Sequence, residues 1–396
     1  MIDVESARRV ILAACPVLAP RPLPLLEALG CVTAGPVVAG HDVPSFTNSA
    51  MDGFAVRALD TPGTLEVVAT TPAGAPPAAG VGPGQAVRIM TGAAVPPGAD
   101  AVVMVERTSP AGEAKVAIEV AASTGEHLRL PGEDLRAGQV LFEPGTELAP
   151  GHLGALASVG TETVEVVPPA RVGVLSTGDE LVSGPGALRP GQIRDSNRPM
   201  LLALVAQAGC VPVDLGTAPD DEAAISAAIE RGVAECDAIL TSGGVSVGDF
   251  DYVKTVLDRL GQMHWWQVAV KPAKPLAFGG VGGMPVFGLP GNPVSSLVSF
   301  ELFARPALRQ MTGHRELFRP EVPAVADEPL RRRPDGKLHL VRVVASTDEE
   351  GRVHVRSSGG QGSHLLRAMA LANALALLPD GDGVDAGDTV KAMLLA

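Results

Sequence analysis

The sequence is poor in aromatic and basic side chains. Of its 396 residues, one is tyrosine, two are tryptophan and 31 are lysine or arginine, against 44 aspartate or glutamate. The formal charge of −13 and the scarcity of stacking rings argue against nucleic-acid binding, which needs a basic surface and aromatic faces. A few local lysines and arginines can still bind a small anion, because salt screens charges that lie beyond roughly 8–10 Å.

Cysteines and long apolar runs are also scarce. The four cysteines are Cys15, Cys31, Cys210 and Cys236. Without a CxxC pair, they are predicted to be buried thiols in a reducing compartment. No apolar run approaches the roughly 20 residues of a membrane helix, and the run after Arg9 stops at Pro16, too early for a signal peptide. We therefore expect a cytoplasmic protein without membrane contact.

The length and the changes of pattern along the chain predict several domains. Short β-type runs between proline and glycine clusters fill residues 44–136, and alternating strands and helices fill residues 169–318. Residues 319–396 return to β-type runs, and residues 1–43 with 137–168 form a discontinuous helical and linker domain. The predicted fold is therefore multi-domain α/β plus β. It has a doubly wound, mainly parallel α/β domain, N-terminal helical and linker segments, a small inserted all-β domain and a C-terminal β domain.

Local patterns predict individual elements. The first helix has its N-cap at Asp3 and ends by Pro16. Residues 23–30 are predicted to form a short helix, and residues 31–38 a strand. A further strand is expected at residues 266–270.

A helix is predicted over residues 365–376, with Ser363 as its N-cap before its role as a ligand contact. Another is predicted over residues 294–309, at the end of the α/β region.

The stretch from Thr241 to Lys254 is read as a strand end, a glycine loop and a helix. Gly243, Gly244 and Gly248 permit positive φ and expose backbone N–H groups, and a helix N-terminus follows. This arrangement favours anion binding. The spacing matches neither GxGxxG nor GxxxxGK[ST], so it does not predict a dinucleotide site or a P-loop.

Two carboxylates accompany this glycine loop. A carboxylate beside a bound phosphate repels it unless a divalent cation such as Mg²⁺ lies between them. The alternative is that either residue caps the following helix. We favour the cap for Asp251, whereas both interpretations stay open for Asp249.

Other strand ends of the α/β region carry similar chemistry. Residues 176–181 supply two hydroxyls and two carboxylates, and residues 271–275 supply two lysines between prolines. Residues 288–296 include Pro293, which can begin a helix whose N-terminal amides face the ligand. Since ligands bind at the carboxyl ends of parallel strands, the sequence predicts phosphate-ester or phosphoanhydride chemistry with a divalent metal.

Ten motif-bearing stretches cover nearly the whole chain. They are residues 48–55, 89–93, 98–106, 132–134, 176–181, 195–197, 241–252, 271–275, 288–296 and 361–364. In this order they resemble the molybdopterin molybdenumtransferases of molybdenum-cofactor biosynthesis, a group that includes the E domain of gephyrin. One departure is Ala273, where the family commonly carries glycine; the methyl group is tolerated if φ is negative there.

The resemblance implies a homodimer of four-domain subunits whose α/β domain is related to that of molybdopterin adenylyltransferases. It implies an active site at the dimer interface and two substrates, adenylylated molybdopterin and molybdate. Molybdate is inserted at the dithiolene, and AMP is released in a Mg²⁺-dependent step. Transient contacts with a molybdopterin adenylyltransferase or with apo-molybdoenzymes are compatible with this function.

The resemblance also assigns roles by matching position. The residues with catalytic roles are Asp52, Glu180, Asp249, Lys271 and Lys274, of which Asp249 and Glu180 are the metal ligands. The residues that contact the substrate are Thr91, Asp134, Ser176, Thr177, Gly178, Ser242, Gly243, Gly244, Pro290, Pro293, Arg342 and Ser363. Lys271 and Lys274 would bind phosphate or molybdate, and Pro290 and Pro293 would shape a molybdate pocket. Which of Asp220 and Asp221 contributes stays open.

Two other functions remain alternatives. A molybdopterin adenylyltransferase shares the Thr-Ser-Gly-Gly loop, but the segment around Met51 and the material on both sides of the α/β domain argue against it. A non-catalytic molybdopterin-binding scaffold would not require the carboxylates and lysines. Tungstate and molybdate have nearly the same size and charge, so the sequence does not separate them.

Overall fold

The computed structural model describes residues 1–245 and 252–395. The predicted loop residues Gly248, Asp249 and Asp251 lie outside these ranges. Within them, no helix combines the length and the apolar character needed to cross a bilayer. The chain forms two compact units, of which the first comprises Met1–Leu23, Gly30–Ala34 and Glu165–Ala396. The second comprises Pro24–Leu29 and Gly35–Val164.

The N-terminal part of the chain is built mostly from short strands. Its first elements are α1 (Val4–Ala13), β1 (Arg21–Pro24), a 3₁₀ helix (Leu25–Ala28), β2 (Val32–Thr33) and β3 (Val37–Val38). They are followed by β4 (Asn48–Ser49), β5 (Gly53–Val56), a 3₁₀ helix (Ala58–Asp60), β6 (Gly63–Thr71), β7 (Gln85–Ile89), β8 (Ala101–Met104), a 3₁₀ helix (Val105–Arg107), β9 (Thr108–Pro110), β10 (Lys115–Ile118), β11 (Leu128–Arg129), β12 (Val140–Phe142), α2 (Pro150–Ser158) and β13 (Thr163–Val167).

The remaining elements alternate strands and helices and then return to strands. The alternating elements are β14 (Arg171–Thr177), β15 (Leu181–Val182), β16 (Ile193–Arg194), α3 (Asn197–Gln207), β17 (Val211–Ala218), α4 (Glu222–Glu235), β18 (Ala238–Ser242), α5 (Tyr252–Leu260), β19 (Gly261–Gln267), β20 (Val270–Lys271), β21 (Pro275–Val281), β22 (Met284–Leu289), α6 (Pro293–Ser299), a π-helical turn (Phe300–Ala304) and α7 (Arg305–Met311). The last elements are β23 (Glu321–Ala326), β24 (Leu330–Arg331), β25 (Leu338–Thr347), β26 (Val353–Ser357), α8 (Leu366–Leu371), β27 (Ala374–Leu378), β28 (Gly383–Val384) and β29 (Thr389–Leu394).

The sheet of the alternating region is mainly parallel, as predicted. Its order is β17-β14-β18-β22-β21-β19, with parallel pairing from β17 to β22 and antiparallel pairing at β21 and β19. Successive residues of the buried strands face two separate cores: Leu240 packs with α1, α3 and α6, whereas Ile239 packs with α4 and α5. Both faces of the sheet are therefore covered by helices, which explains its continuous apolar runs.

The last region contains a sheet that closes on itself. Five strands follow one another in the order β25-β26-β23-β29-β27, and β27 pairs with β25 as well. The second unit contains a six-stranded sheet of order β8-β5-β7-β6-β10-β9, in which β6 and β7 are parallel.

The N-terminal predictions are confirmed in part. Asp3 is the N-cap of α1, because its Oδ1 accepts a hydrogen bond of 2.8 Å from the Ser6 amide. The predicted helix over residues 23–30 is wrong in type: β1 is followed by one 3₁₀ turn. The predicted strand over residues 31–38 is divided into β2 and β3, because its turn residues interrupt the pairing.

The predicted helix over residues 365–376 is wrong in its second half. Only Leu366–Leu371 is helical, and Ala374–Leu378 is a strand that pairs with both β25 and β29. A short Ala/Leu run fits a buried strand as well as a helix, and the vacant position between two strands decides it. The N-cap is Leu365 and has no side-chain cap bond, so the prediction that Ser363 is the cap is also wrong.

Two boundaries in the α/β region also differ from the prediction. The strand expected at residues 266–270 is Gly261–Gln267, and Val270–Lys271 belongs to a separate strand that pairs with β25. The helix over 294–309 is confirmed in its extent, but a π-helical turn at Phe300–Ala304 divides it into α6 and α7.

The environment of His354 in the closed sheet predicts that the stability of the protein depends on pH. His354 Nδ1 lies 2.7 Å from Asp327 Oδ1, and its Nε2 lies 3.1 Å from Asp348 Oδ2. The bond to Asp327 raises the pKa of His354 above its usual value of 6.5. Because the folded-state pKa is the higher one, this stabilisation is fully present below pH 6.5 and is lost as the pH rises through the folded-state pKa.

We therefore expect His354→Gln to lower the melting temperature at acidic pH and to approach the wild type as the pH rises. Melting curves of both proteins across this pH range test the prediction. A difference between them that does not change with pH would contradict it.

Candidate functional site

Three strand ends converge at one edge of the α/β sheet. Strands β14, β18 and β22 are parallel neighbours, so their carboxyl ends lie side by side. We call the last residues of these strands, together with the residues that follow them, the strand-end rim. Gly243 has φ +101°, and a Cβ built on it would lie 3.0 Å from the carbonyl oxygen of Thr177. The predicted glycine loop therefore requires glycine at this position, for its conformation and for its close approach to β14.

Asn197 connects helix α3 to two strands of the strand-end rim. Its Nδ2 donates hydrogen bonds of 2.7 Å to Ser242 Oγ and to the carbonyl oxygen of Gly291. The bonds join the first residue of α3 to the ends of β18 and β22. No role was predicted for Asn197 from the sequence, although it belongs to one of the family motifs. An asparagine that opens a helix directly after a strand end is the signal that could have identified it.

The hydroxyl of Ser176 is hydrogen-bonded within the protein and does not face solvent. The Ser176 side chain is fully buried, and its hydroxyl donates a hydrogen bond of 3.1 Å to Asp195 Oδ1. Asp195 Oδ2 accepts further bonds from Thr217 Oγ1 and Arg198 Nε, at 3.0 and 3.2 Å. A buried carboxylate with this many donors orders the loop between β16 and α3.

Of the two acidic residues predicted to bind the metal, the structure describes only Glu180. Glu180 is exposed, and its carboxylate would collide with a Cβ built on Gly178. Glu180 is thus folded back over the rim, whereas Asp249 lies outside the described residues. The structure distinguishes Asp220 from Asp221: Asp221 caps α4 by accepting the Ala224 amide at 2.8 Å, and the Asp220 amide donates to Asp179 Oδ1 at 3.1 Å.

A cavity of about 630 Å³ lies between residues 271–275, which we call the lysine segment, and the closed sheet. We call it the cationic cavity. Its polar lining includes Lys271, Lys274, Arg333, Lys337, His339 and Ser363. Strand β20 places Lys271 beside His339 of β25 in parallel register. Lysines 271 and 274, predicted to bind phosphate or molybdate, are therefore brought together with Ser363, which is about ninety residues away in the sequence.

The lysine segment has a strained residue at its centre. Ala273 has φ +80° and is 2% exposed. The condition of a negative φ, under which the methyl group would be tolerated without strain, is therefore not met. A left-handed conformation costs an L-residue about 1–2 kcal/mol, so glycine would fit this position without strain.

We predict that Ala273→Gly stabilises the protein by up to about 1 kcal/mol. Relief of the left-handed strain outweighs the loss of one buried methyl group, worth about 0.8 kcal/mol. Denaturant unfolding of the two proteins measures the difference. A loss of stability would mean that the packing of the methyl group is worth more than the strain.

Arg342 lies directly behind the wall of the cationic cavity. It is 1% exposed, and its Nη2 donates to the carbonyl oxygens of Gly360 and Gly362 at 2.7 and 3.1 Å. Its Nε and Nη1 have no hydrogen-bond partner within the described residues, and burial lowers its pKa. A buried guanidinium with two free donors is costly, and it adds a fixed positive charge next to the cavity.

The start of α6 connects the two parts of the site. Pro290 follows β22 in the strand-end rim, Pro293 is the first residue of α6, and Ser295 lines the cationic cavity. The Val294 amide, expected to face the ligand, instead donates to the carbonyl oxygen of Ser363 at 3.2 Å. This bond fixes the position of Ser363 at the cavity wall.

The second unit brings two of its three predicted residues together. Asp52 Oδ1 accepts bonds of 2.7 Å from the Thr91 amide and 2.8 Å from Thr91 Oγ1. The bond from the Thr91 amide is the largest cause that lowers the pKa of Asp52. Asp134 is exposed, and its amide donates to the carbonyl oxygen of Val43. The pair Asp52–Thr91 thus presents an ionised carboxylate on a turn.

The site of the first unit can hold an anionic molecule. Backbone groups, hydroxyls and a carboxylate are present at the strand-end rim, whereas lysines and a buried arginine surround the cationic cavity. Fixed cations in a partly enclosed space attract anions more strongly than exposed ones, because less water screens them.

Three family models together match most of the chain. Residues 2–160 match the MoeA N-terminal region (domain I and II). Residues 173–310 match a probable molybdopterin binding domain, and residues 324–395 match the MoeA C-terminal region (domain IV).

Similar proteins agree with these matches over their full length. The molybdopterin molybdenumtransferase of Haemophilus influenzae is 38% identical over 98% of this chain and 98% of that protein. Molybdopterin molybdenumtransferase 2 of Mycobacterium tuberculosis is 42% identical over 96% of both. A crystal structure of the molybdopterin biosynthesis MoeA protein of Pyrococcus horikoshii covers 100% of this chain and 99% of that one, with 29% identity and a TM-score of 0.82. This chain therefore belongs to the molybdopterin molybdenumtransferase family.

Proposed function

We propose that this chain inserts molybdenum into molybdopterin. Its substrates are molybdate and adenylylated molybdopterin, and AMP is the second product. The observation that carries the proposal is the cationic cavity, which is lined by Lys271 and Lys274. The buried Arg342 lies behind its wall and donates to the carbonyl oxygen of Gly362, a lining residue. Molybdate is a dianion and the other substrate is also anionic, so fixed positive charges are needed to hold both together.

Each part of the site has a separate proposed task. The cationic cavity binds the oxyanion through Lys271, Lys274 and Ser363. The strand-end rim, with Thr177, Gly243 and neighbouring residues, holds the phosphate groups of the substrate through backbone N–H groups and hydroxyls. Ser176 contributes by fixing the rim through Asp195, since its hydroxyl is already engaged.

Carboxylate oxygens are the ligands that Mg²⁺ prefers. Glu180 and Asp249 would hold the ion, which would neutralise charge on the adenylyl phosphate. Among the described residues, no group of three or more histidine, cysteine or acidic side chains is placed to bind a metal. A site built from Glu180 thus needs Asp249 or substrate oxygens as further ligands.

We also propose a cytoplasmic homodimer of four-domain subunits. In this arrangement Asp52, Thr91 and Asp134 complete the active site from the inserted β domain. The support is membership of the family together with the Asp52–Thr91 turn, whose ionised carboxylate is preformed.

The test is an assay of AMP release and of cofactor transfer. The purified protein is incubated with adenylylated molybdopterin and Mg²⁺, with and without molybdate, and the product is offered to an apo-molybdoenzyme. Molybdate-stimulated AMP release with active cofactor supports the proposal. Consumption of ATP with molybdopterin would instead indicate an adenylyltransferase, and tight binding without AMP release a scaffold.

Lys271→Ala and Lys274→Ala should each raise the KM for molybdate. Loss of one charge-assisted hydrogen bond of about 1.5–3 kcal/mol corresponds to a factor of roughly 10–100. Lys391→Ala is the control, because it removes a lysine that is exposed and 3.6 Å from Glu321. Equal effects at all three positions would mean that only the total charge matters.

A further inference from the structure

His339 occupies an unusual position in the cationic cavity. It is 8% exposed, lines the cavity and lies beside Lys271 in the register of β20 and β25. The family motifs noted above do not include it. A histidine that is nearly buried among cations is the residue whose protonation responds most to an entering anion.

One ring nitrogen of His339 is held by a carboxylate. Nε2 lies 3.1 Å from Asp335 Oδ1, and Asp335 is fixed by Arg332 and Lys337, each at 2.9 Å. Arg332 is fixed in turn by the carbonyl oxygens of Lys337, Leu378 and Pro379. Nδ1 has no hydrogen-bond partner among the residues that the structure describes, which leaves it available to a ligand.

The elements packed around His339 differ in the charge that they present to its ring. Asp335 favours the imidazolium, whereas Lys271 from β20 and Arg332 from the segment after β24 disfavour it. On the other side, β27 packs with Leu378, which is apolar. Burial is the largest influence and lowers the pKa of His339 below 6.5. The ring is therefore neutral at neutral pH when only these groups surround it.

We propose that His339 takes up a proton when an oxyanion enters the cationic cavity and then donates a hydrogen bond to it through Nδ1. The inference rests on the proposed function, because it requires molybdate to bind in this cavity. A dianion beside the ring offsets the repulsion from Lys271 and Arg332 and adds an attraction for the imidazolium. Binding of the oxyanion and binding of the proton therefore strengthen each other.

This proton has a use in the proposed reaction. Two thiol groups replace one oxide, MoO₄²⁻ + R(SH)₂ → [MoO₃(S₂R)]²⁻ + H₂O. Two Mo–S bonds form, one Mo–O bond breaks, both thiol protons leave with the oxide as water, and molybdenum stays Mo(VI). His339 passes a proton to the departing oxide and recovers one from a thiol, so it carries the proton without being consumed.

Calorimetric titration of the full chain with molybdate tests the inference. Titrations in two non-phosphate buffers of different ionisation enthalpy give the number of protons taken up. We expect about 0.5–1 proton per molybdate near pH 7 and an affinity that falls up to about tenfold per pH unit above neutrality. His339→Gln should lose both effects, whereas His354→Gln, the same change away from the cavity, should keep them.

The outcomes separate the inference from the proposed function. Molybdate binding without proton uptake, or uptake that persists in His339→Gln, overturns the role of His339 and leaves the proposed function intact. No molybdate binding by the wild type overturns both. If His339→Gln does not fold, Asp335→Asn replaces it. Removal of the carboxylate that favours the imidazolium should move the midpoint of proton uptake to lower pH, and an unchanged midpoint overturns the inference.

Discussion

Arg342→Met should lower kcat/KM for molybdate by about 100-fold or more while changing the free energy of unfolding by less than about 2 kcal/mol. The guanidinium is buried beside the cationic cavity with two free donors. Its loss removes a fixed charge whose interaction with a bound anion is worth about 3 kcal/mol. The fold loses two bonds to carbonyl oxygens, but it no longer buries an incompletely satisfied cation, and these effects oppose each other.

Arg332, which follows β24 and contacts Leu378 of the closed sheet, provides the matched contrast. Its guanidinium is also buried, but it donates to Asp335, Asp380 and four carbonyl oxygens. Arg332→Met removes all of these bonds, including both contacts to carboxylates, and should destabilise the protein by about 3–5 kcal/mol. Denaturant unfolding and steady-state kinetics of both variants test the pair. If the two variants lost similar stability, Arg342 would serve the fold as Arg332 does, and its incomplete pairing would have no functional reason.

Glu301→Gln should destabilise the protein by about 3–5 kcal/mol without altering the turnover of the folded enzyme. Glu301 is 3% exposed and accepts bonds of 3.0 and 3.1 Å from Arg319. Arg305 Nε lies 3.8 Å away, and burial, followed by repulsion from Arg319, lowers the pKa of Arg305 to about 10. Removing the one negative charge leaves two buried cations facing each other, which is strongly unfavourable.

Glu321→Gln is the control for this prediction. Its carboxylate is partly exposed and lies 3.6 Å from Lys391, so its loss should cost no more than about 1 kcal/mol. Denaturant unfolding followed by circular dichroism compares the two variants, and AMP release at low temperature measures their turnover. Equal stability of the two variants would show that solvent reaches Glu301.

The local elements of the α/β region follow from short-range patterns. The alternation of strands with helices predicts a mainly parallel sheet, and helix signals such as Asp3 predict helix starts. The glycines after Thr241 predict a turn that requires positive φ, and Gly243 has it. These features depend on residues within a few positions of each other, which is why the sequence alone determines them.

The remaining features depend on contacts between distant parts of the chain. Residues 374–378 form a strand because β25 and β29 leave a position between them, and Ala273 adopts positive φ because its loop must join β20 to β21. Asn197, Arg342 and His339 acquire their roles from neighbours 18 to 94 positions away or from the adjacent strand. The sequence by itself determined the family and the parallel α/β sheet, and it identified the lysines that we propose to bind anions. The tertiary structure decided which side chains surround the cavity, because strand order and register, rather than local periodicity, bring them within bonding distance.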